Sequence, residues 1–176
     1  MDWLPNEDAI QFFIKEVMPI IRADFPNLTL TVVGRNPYQS LVELAKRDSS
    51  VIVTGRVEDV RPYIDRAAAY IVPIRIGGGT RLKIYEAMAM AKPVISTTVG
   101  AEGLPVKHGR DLLIGNTPTE FAAAVKDVLT NRDIANSLAH NARRLVQDQF
   151  GWRSVSASFV KLCEQAIAIR NSSMNS

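Results

Sequence analysis

The chain of 176 residues is short of the residue types from which most metal and nucleophilic sites are built. It has one cysteine, Cys163, so no internal disulfide can form. With no cationic-then-apolar leader, the expectation is a reducing, cytoplasmic setting. Its two histidines, His108 and His140, leave no zinc-type cluster with that cysteine at a workable spacing. No Asp-x-Asp pair occurs, which speaks against a divalent cation held between paired carboxylates, and no metal site is assigned. The G-x-S-x-G elbow and the G-x-x-x-x-G-K-[ST] loop are both missing. Long apolar runs are missing too: stretches such as 67–73 fall far short of the ~20 residues of a membrane span. Charge of one sign is also lacking. The net charge is +3 with the basic residues scattered, so no nucleic-acid partner is expected.

What is present is 47% apolar residues with 22% charged ones, the balance of a well-packed globule. A chain this long buries roughly 70% of its unfolded surface and needs no disulfide or metal to fold. One domain over 1–170 is expected, with a disordered tail at 171–176.

Asn6 is a suitable cap for a helix to about Arg22, with Ile10, Phe13, Ile14, Val17 and Ile21 on one face and a kink at Pro19. Strands are expected over 28–33, 51–54, 70–73, 93–97 and 111–114. Between them fall short helices to about 46, over 58–65 and over 81–90. The Thr117-Pro118-x-Glu120 start introduces a further helix, and two more cover about 133–149 and 152–169. Short, nearly continuous apolar strands that alternate with helices imply an α/β fold: a Rossmann-like, doubly wound parallel sheet covered on both faces. Such sheets bind ligands at the carboxyl ends of their strands. Gly34, Gly55 and the run Gly77-Gly78-Gly79 all lie just past strand ends. Turns alone would also explain Gly34 and Gly55.

The run continues as Thr80-Arg81-Leu82-Lys83-Ile84-Tyr85-Glu86. Three glycines in succession are costly to order and make sense where backbone must approach a ligand closely. Thr80 is a suitable helix cap, yet the first turn after it carries Arg81 and Lys83 where the helix dipole favours acids. Two cations at a helix start call for an anion, and a phosphate or diphosphate satisfies the loop amides, the Thr80 hydroxyl and both cations. Glu86, one turn on, reads either as a carboxylate for a ribose diol or as a surface partner of Lys83.

The stretch from Gly77 through Met88 to Thr97, with Val99-Gly100-Ala101-Glu102-Gly103-Leu104 after it, resembles the signature of the group 1 (family 4) retaining glycosyltransferases of GT-B type. Asp2-Trp3-Leu4-Pro5-Asn6, Val32-Val33-Gly34 and the Gly55-Arg56-Val57 region are similar to the same family's nucleotide-binding half, so the resemblance covers essentially the whole chain. It implies the C-terminal, donor-binding half of a metal-independent enzyme that transfers a sugar from a UDP- or GDP-type nucleotide with retained configuration, with no cofactor. Glu86 matches the second acid of the family's E-x7-E motif, which holds the ribose. The first acid falls at Gly78, where loop backbone and Thr80 would serve the donor instead. Lys83 and Arg81 would neutralise the diphosphate leaving group, and Arg56 and Val57 would pack at the base edge.

The Arg and Lys that many relatives carry after the half's first strand are absent from the Asp2–Asn6 stretch. That strand, central in the order 3-2-1-4-5-6, would precede residue 1, as would an acceptor-binding domain. The expectation is a fragment that binds nucleotide weakly and does not transfer sugar alone. Polysaccharide synthesis at the inner face of a membrane, with peripheral contact through the acceptor half, is the family-level expectation. The alternative is a non-catalytic nucleotide- or phospholigand-binding module of the same fold. Elsewhere, Met88 and Met90 read as core. Trp3, Phe150 and Trp152 read as packing staples, and His108, His140, Arg143 and Arg144 as surface.

Overall fold

The computed structural model describes residues 4–77 and 82–174. The first helix, α1 (Leu4–Phe12), passes into a π-helical segment at Phe13–Val17 and then into α2 (Met18–Arg22). Pro19 lies in the first turn of α2. A proline there cannot donate to the carbonyl four residues back, and the one-residue widening just ahead of it absorbs the mismatch, so the expected kink takes the form of a π segment. The helix starts two residues ahead of the expected Asn6 cap, since Pro5 is tolerated in a first turn.

Strand β1 (Leu30–Val33), α3 (Gln39–Arg47), β2 (Val51–Gly55), α4 (Arg61–Arg66) and β3 (Tyr70–Val72) follow. Then come α5 (Leu82–Ala89), β4 (Val94–Ser96), β5 (Leu113–Ile114), α6 (Pro118–Thr130), α7 (Arg132–Phe150) and α8 (Trp152–Met174). The Thr117 capping box is formed: the Glu120 N–H donates to Thr117 Oγ1 at 3.2 Å, and Glu120 Oε2 accepts from the Thr117 N–H at 3.1 Å. Helix α8 runs through 171–174, which the sequence reading leaves as tail; Asn-Ser-Ser-Met contains no Gly or Pro to stop a helix already under way.

All strand pairs are parallel, as expected. Their hydrogen bonds form two pieces, β1-β2 and β3-β4-β5, instead of one continuous sheet.

In the three-stranded piece, alternate residues serve opposite faces, because successive strand side chains point to opposite sides. Ile71, Ile95 and Leu113 join the core formed with α1, α2 and α6, whereas Val72, Val94 and Leu112 pack with Ile84, Ala87 and Met88 of α5 and Ala142 of α7. Phe121 of α6 is fully buried and meets Phe12 and Phe13 edge-on, with ring centroids 6.4 and 6.0 Å apart. Gly115 lets α6 sit this close, since a Cβ there would lie 2.5 Å from the Phe121 nitrogen. The two-stranded piece is covered on one face by Leu41 and Leu44 of α3, but its Thr31 and Ile52 are exposed. Coverage of both faces therefore holds for β3–β5 and not for β1–β2, because α5 and α7 pack over the three-stranded piece.

The aromatic staples are corrected in part. Phe150 stacks on Tyr85 at 4.4 Å between centroids, but Trp152 is 84% exposed and Trp3 lies outside the described residues. Met88 is buried, and His108, His140, Arg143 and Arg144 are at the surface.

Candidate functional site

The carboxyl ends of β1 and β2 are joined through their glycines: the Gly34 N–H donates to the Gly55 carbonyl at 3.2 Å. Gly55 has φ +69°, a left-handed conformation that a side chain would strain. Arg56 follows it exposed to solvent, and Val57 is half-buried. The segment leaving β3 reaches Gly77, exposed and at φ +94°. Gly78, Gly79, Thr80 and Arg81 lie outside the described residues.

Helix α5 then presents the pattern its sequence implies. Ile84, Ala87 and Met88 are buried, so Lys83 and Glu86 face outward, and no acid occupies the first described turn. Three residues apart, Lys83 and Glu86 lie on adjacent turns, yet no ion pair joins them. The Glu86 carboxylate acts instead on α4 and β3. Burial pushes the Tyr70 phenol up to about 12, with Glu86 adding to it. The Arg61 guanidinium is held above its usual value mainly by Asp59, with a smaller contribution from Glu86.

Beside the exit of β3 lies the end of its partner β4. Ser96 and Thr97 are buried polar residues whose hydroxyls donate to the backbone of the neighbouring strand's exit. Ser96 Oγ donates to the Val72 carbonyl at 3.2 Å, and Thr97 Oγ1 donates to the Ile74 carbonyl while accepting from the Gly100 N–H at 2.8 Å. Gly100 is required by this close approach, because a Cβ there would come within 2.4 Å of Ser96 Oγ and 2.7 Å of the Val72 carbonyl oxygen. Asn116 Oδ1 accepts from the Thr98 N–H at 2.8 Å and fixes the start of the 98–103 loop.

Of the residues singled out by sequence, the structure joins Gly34 to Gly55 and sets Lys83 and Glu86 on the outer side of one helix. Sequence reasoning missed Ser96, Thr97 and Asn116; hydroxyls closing a strand that feeds a glycine-containing loop were the available signal. It also missed the pairing of Arg75 with Asp8, 67 residues apart, for which no local signal exists. Among the described residues, no three His, Cys, Asp or Glu side chains cluster as a metal site, and no helix is long and apolar enough to cross a membrane.

The profile of the family described as "Glycosyl transferases group 1" matches residues 2–131. The chain belongs to that family. It is 26% identical over 167 residues to an uncharacterized 44.6 kDa protein in the cps region of Klebsiella pneumoniae, covering 90% of this chain and 43% of that protein. The chain thus spans less than half the length of that relative. The C-terminal domain of the group 1 glycosyl transferase LpcC from Francisella tularensis has the same fold, with a TM-score of 0.68 at 22% identity, over 82% of this chain and 80% of that one. Anabaena HepE, solved with UDP and glucose, superposes with a TM-score of 0.71 at 16% identity, over 84% of this chain and 43% of that one. As a group 1 glycosyltransferase domain, the chain has the parallel strands and flanking helices of the GT-B enzymes.

Proposed function

We propose that this chain is the donor-binding half of a retaining glycosyltransferase, holding a UDP- or GDP-sugar at the carboxyl edge of its strands for transfer during glycan or cell-surface polysaccharide synthesis. The observation that carries the reading is the start of α5: a glycine loop leads from β3 into a helix whose first described turn has no acid and turns Lys83 outward, with Glu86 exposed one turn later. A helix start, loop amides and cations form an anion site, and a nucleoside diphosphate is an anion with a diol at the distance of about one helical turn.

In the transfer step the bond from the anomeric carbon to the diphosphate oxygen breaks with the electron pair staying on that oxygen, while an acceptor hydroxyl oxygen bonds to the anomeric carbon and its proton passes to the departing diphosphate. Lys83, with Arg81 and the loop amides of Gly77, Gly78 and Gly79, stabilises the charge that develops there in place of a metal. Thr80 supplies a hydroxyl to the same group, Glu86 accepts from the ribose, and Gly34, Gly55, Arg56 and Val57 line the base side. The UDP bound by HepE and the cps setting of the Klebsiella relative support the donor class and the polysaccharide context. Transfer itself is proposed for the protein that includes an acceptor-binding half, working at the cytoplasmic face of a membrane.

A non-catalytic nucleotide-binding module is the second reading, and Gly78 in place of the family's first acid favours it. Transfer by the protein with an acceptor half present would separate the two.

The binding test is thermal unfolding with millimolar UDP, GDP and ADP. A ligand at 100 times its Kd adds ~2.7 kcal/mol, and at this chain length that raises Tm by roughly 5–10 °C. A shift with UDP or GDP is expected. A cooperatively unfolding chain with no shift in either would overturn the donor reading.

A further inference from the structure

The segment 73–77 that carries β3 into the glycine loop has little apolar packing at its far end, since Ile76 is 43% exposed and Gly77 has no side chain. Polar contacts hold it on two sides. On one side Thr97 Oγ1 donates to the Ile74 carbonyl. On the other, Arg75 reaches the first helix: its Nε and Nη2 donate to Asp8 Oδ2 and Oδ1 at 3.0 and 2.6 Å, and its Nη1 stands 3.6 Å from Glu16 Oε1. The guanidinium also lies 4.4 Å above the ring of Phe12, which is itself fixed edge-on against Phe121. Asp8 and Phe12 belong to α1 and Glu16 to the π segment, so one planar fork grips successive turns of that helix.

An arginine two residues before a glycine loop invites assignment as a phosphate ligand. Here its Nε and Nη2 donate to Asp8 and its Nη1 faces Glu16, so two carboxylates offset its charge.

We infer that Arg75 is a positioning residue: its clamp on Asp8 and Glu16 sets the stem 73–77 where it enters the glycine loop, without contact to the ligand. The consequence for nucleotide rests on the donor-site reading above, whereas the consequence for the stem does not.

The test uses the full chain and the variants Asp8→Asn, Asp8→Asn/Glu16→Gln and Arg75→Lys, each checked by circular dichroism for an intact fold. Amide exchange at 74–77 is measured without nucleotide, and UDP and GDP binding is measured by calorimetry. All three variants are expected to speed stem exchange about fivefold or more and to weaken nucleotide binding about five- to tenfold. The carboxylate variants give the decisive sign. They free a cation beside the loop, so a direct phosphate ligand would bind nucleotide as tightly or more tightly, and that result overturns the inference. Unchanged stem exchange overturns it as well, whatever the nucleotide does. Absence of nucleotide binding by the unmodified chain would instead remove the donor reading, with the exchange data still deciding the clamp.

Discussion

Glu86→Ala offers the sharpest test of the ligand's chemistry. The carboxylate stands exposed on α5 with no ion pair to any described residue, so its removal leaves the unliganded fold within ~0.5 kcal/mol. Two hydrogen bonds from a ribose diol to a charged acceptor would gross ~1.5–3 kcal/mol each. An exposed carboxylate must shed water to make them, so a net loss of ~2 kcal/mol, about 30-fold in Kd, is expected for UDP or GDP. The same substitution should leave the 2′,3′-dideoxy nucleotide nearly unaffected, because that ligand has no hydroxyls to lose. Calorimetric titration of both ligands into both proteins closes a cycle whose interaction energy isolates the contact. Equal weakening toward the two ligands would refute the diol assignment and leave Glu86 a source of general electrostatics.

Lys83→Ala, also at an exposed position, should weaken UDP or GDP roughly 10- to 100-fold while leaving the unliganded Tm unchanged; equal affinity for nucleotide in the variant argues against a diphosphate at this helix start. Phe121→Ala opens a cavity where two edge-on aromatic contacts meet, at a cost of ~3–5 kcal/mol, and should lower Tm by roughly 6–20 °C in a thermal melt. A loss below ~3 °C would show that α6 is not the keystone of this core. Asp48 is held below the ordinary carboxylate range first by the Ser50 hydroxyl and then by the Arg22 guanidinium. A depressed folded-state pKa contributes stability that is present above the unfolded value and disappears as pH falls below about 4. Asp48→Asn should therefore lower the urea midpoint at pH 7 and flatten its decline toward pH 3, and parallel declines in both proteins would contradict the assignment.

The secondary structure was legible wherever the signal is local. The Thr117 box, the Pro19 disturbance and the amphipathic pattern of α5 depend on residues within a turn or two of each other, and each stands in the structure where the sequence places it. Gly55 was legible for the same reason: a left-handed residue closing a strand leaves its mark at one position. The family was legible because the stretch from Gly77 to Thr97 is long and specific, and the profile match over 2–131 agrees with it.

What the sequence by itself determined is the set of elements, the parallel α/β class and the inverted charge at the start of α5, since period, capping and local charge are all short-range properties of a chain. The packing of the whole chain settled which sheet faces are covered, that the described strands hydrogen-bond in two pieces, that Ser96 and Thr97 are buried against the exit of β3, and that Trp152 stands in solvent. It alone brought Arg75 into reach of Asp8 and Glu16. The physical reason is that a guanidinium's partner is set by what the fold brings within 3 Å, and a carboxylate 67 residues away leaves no trace in the spacing around it.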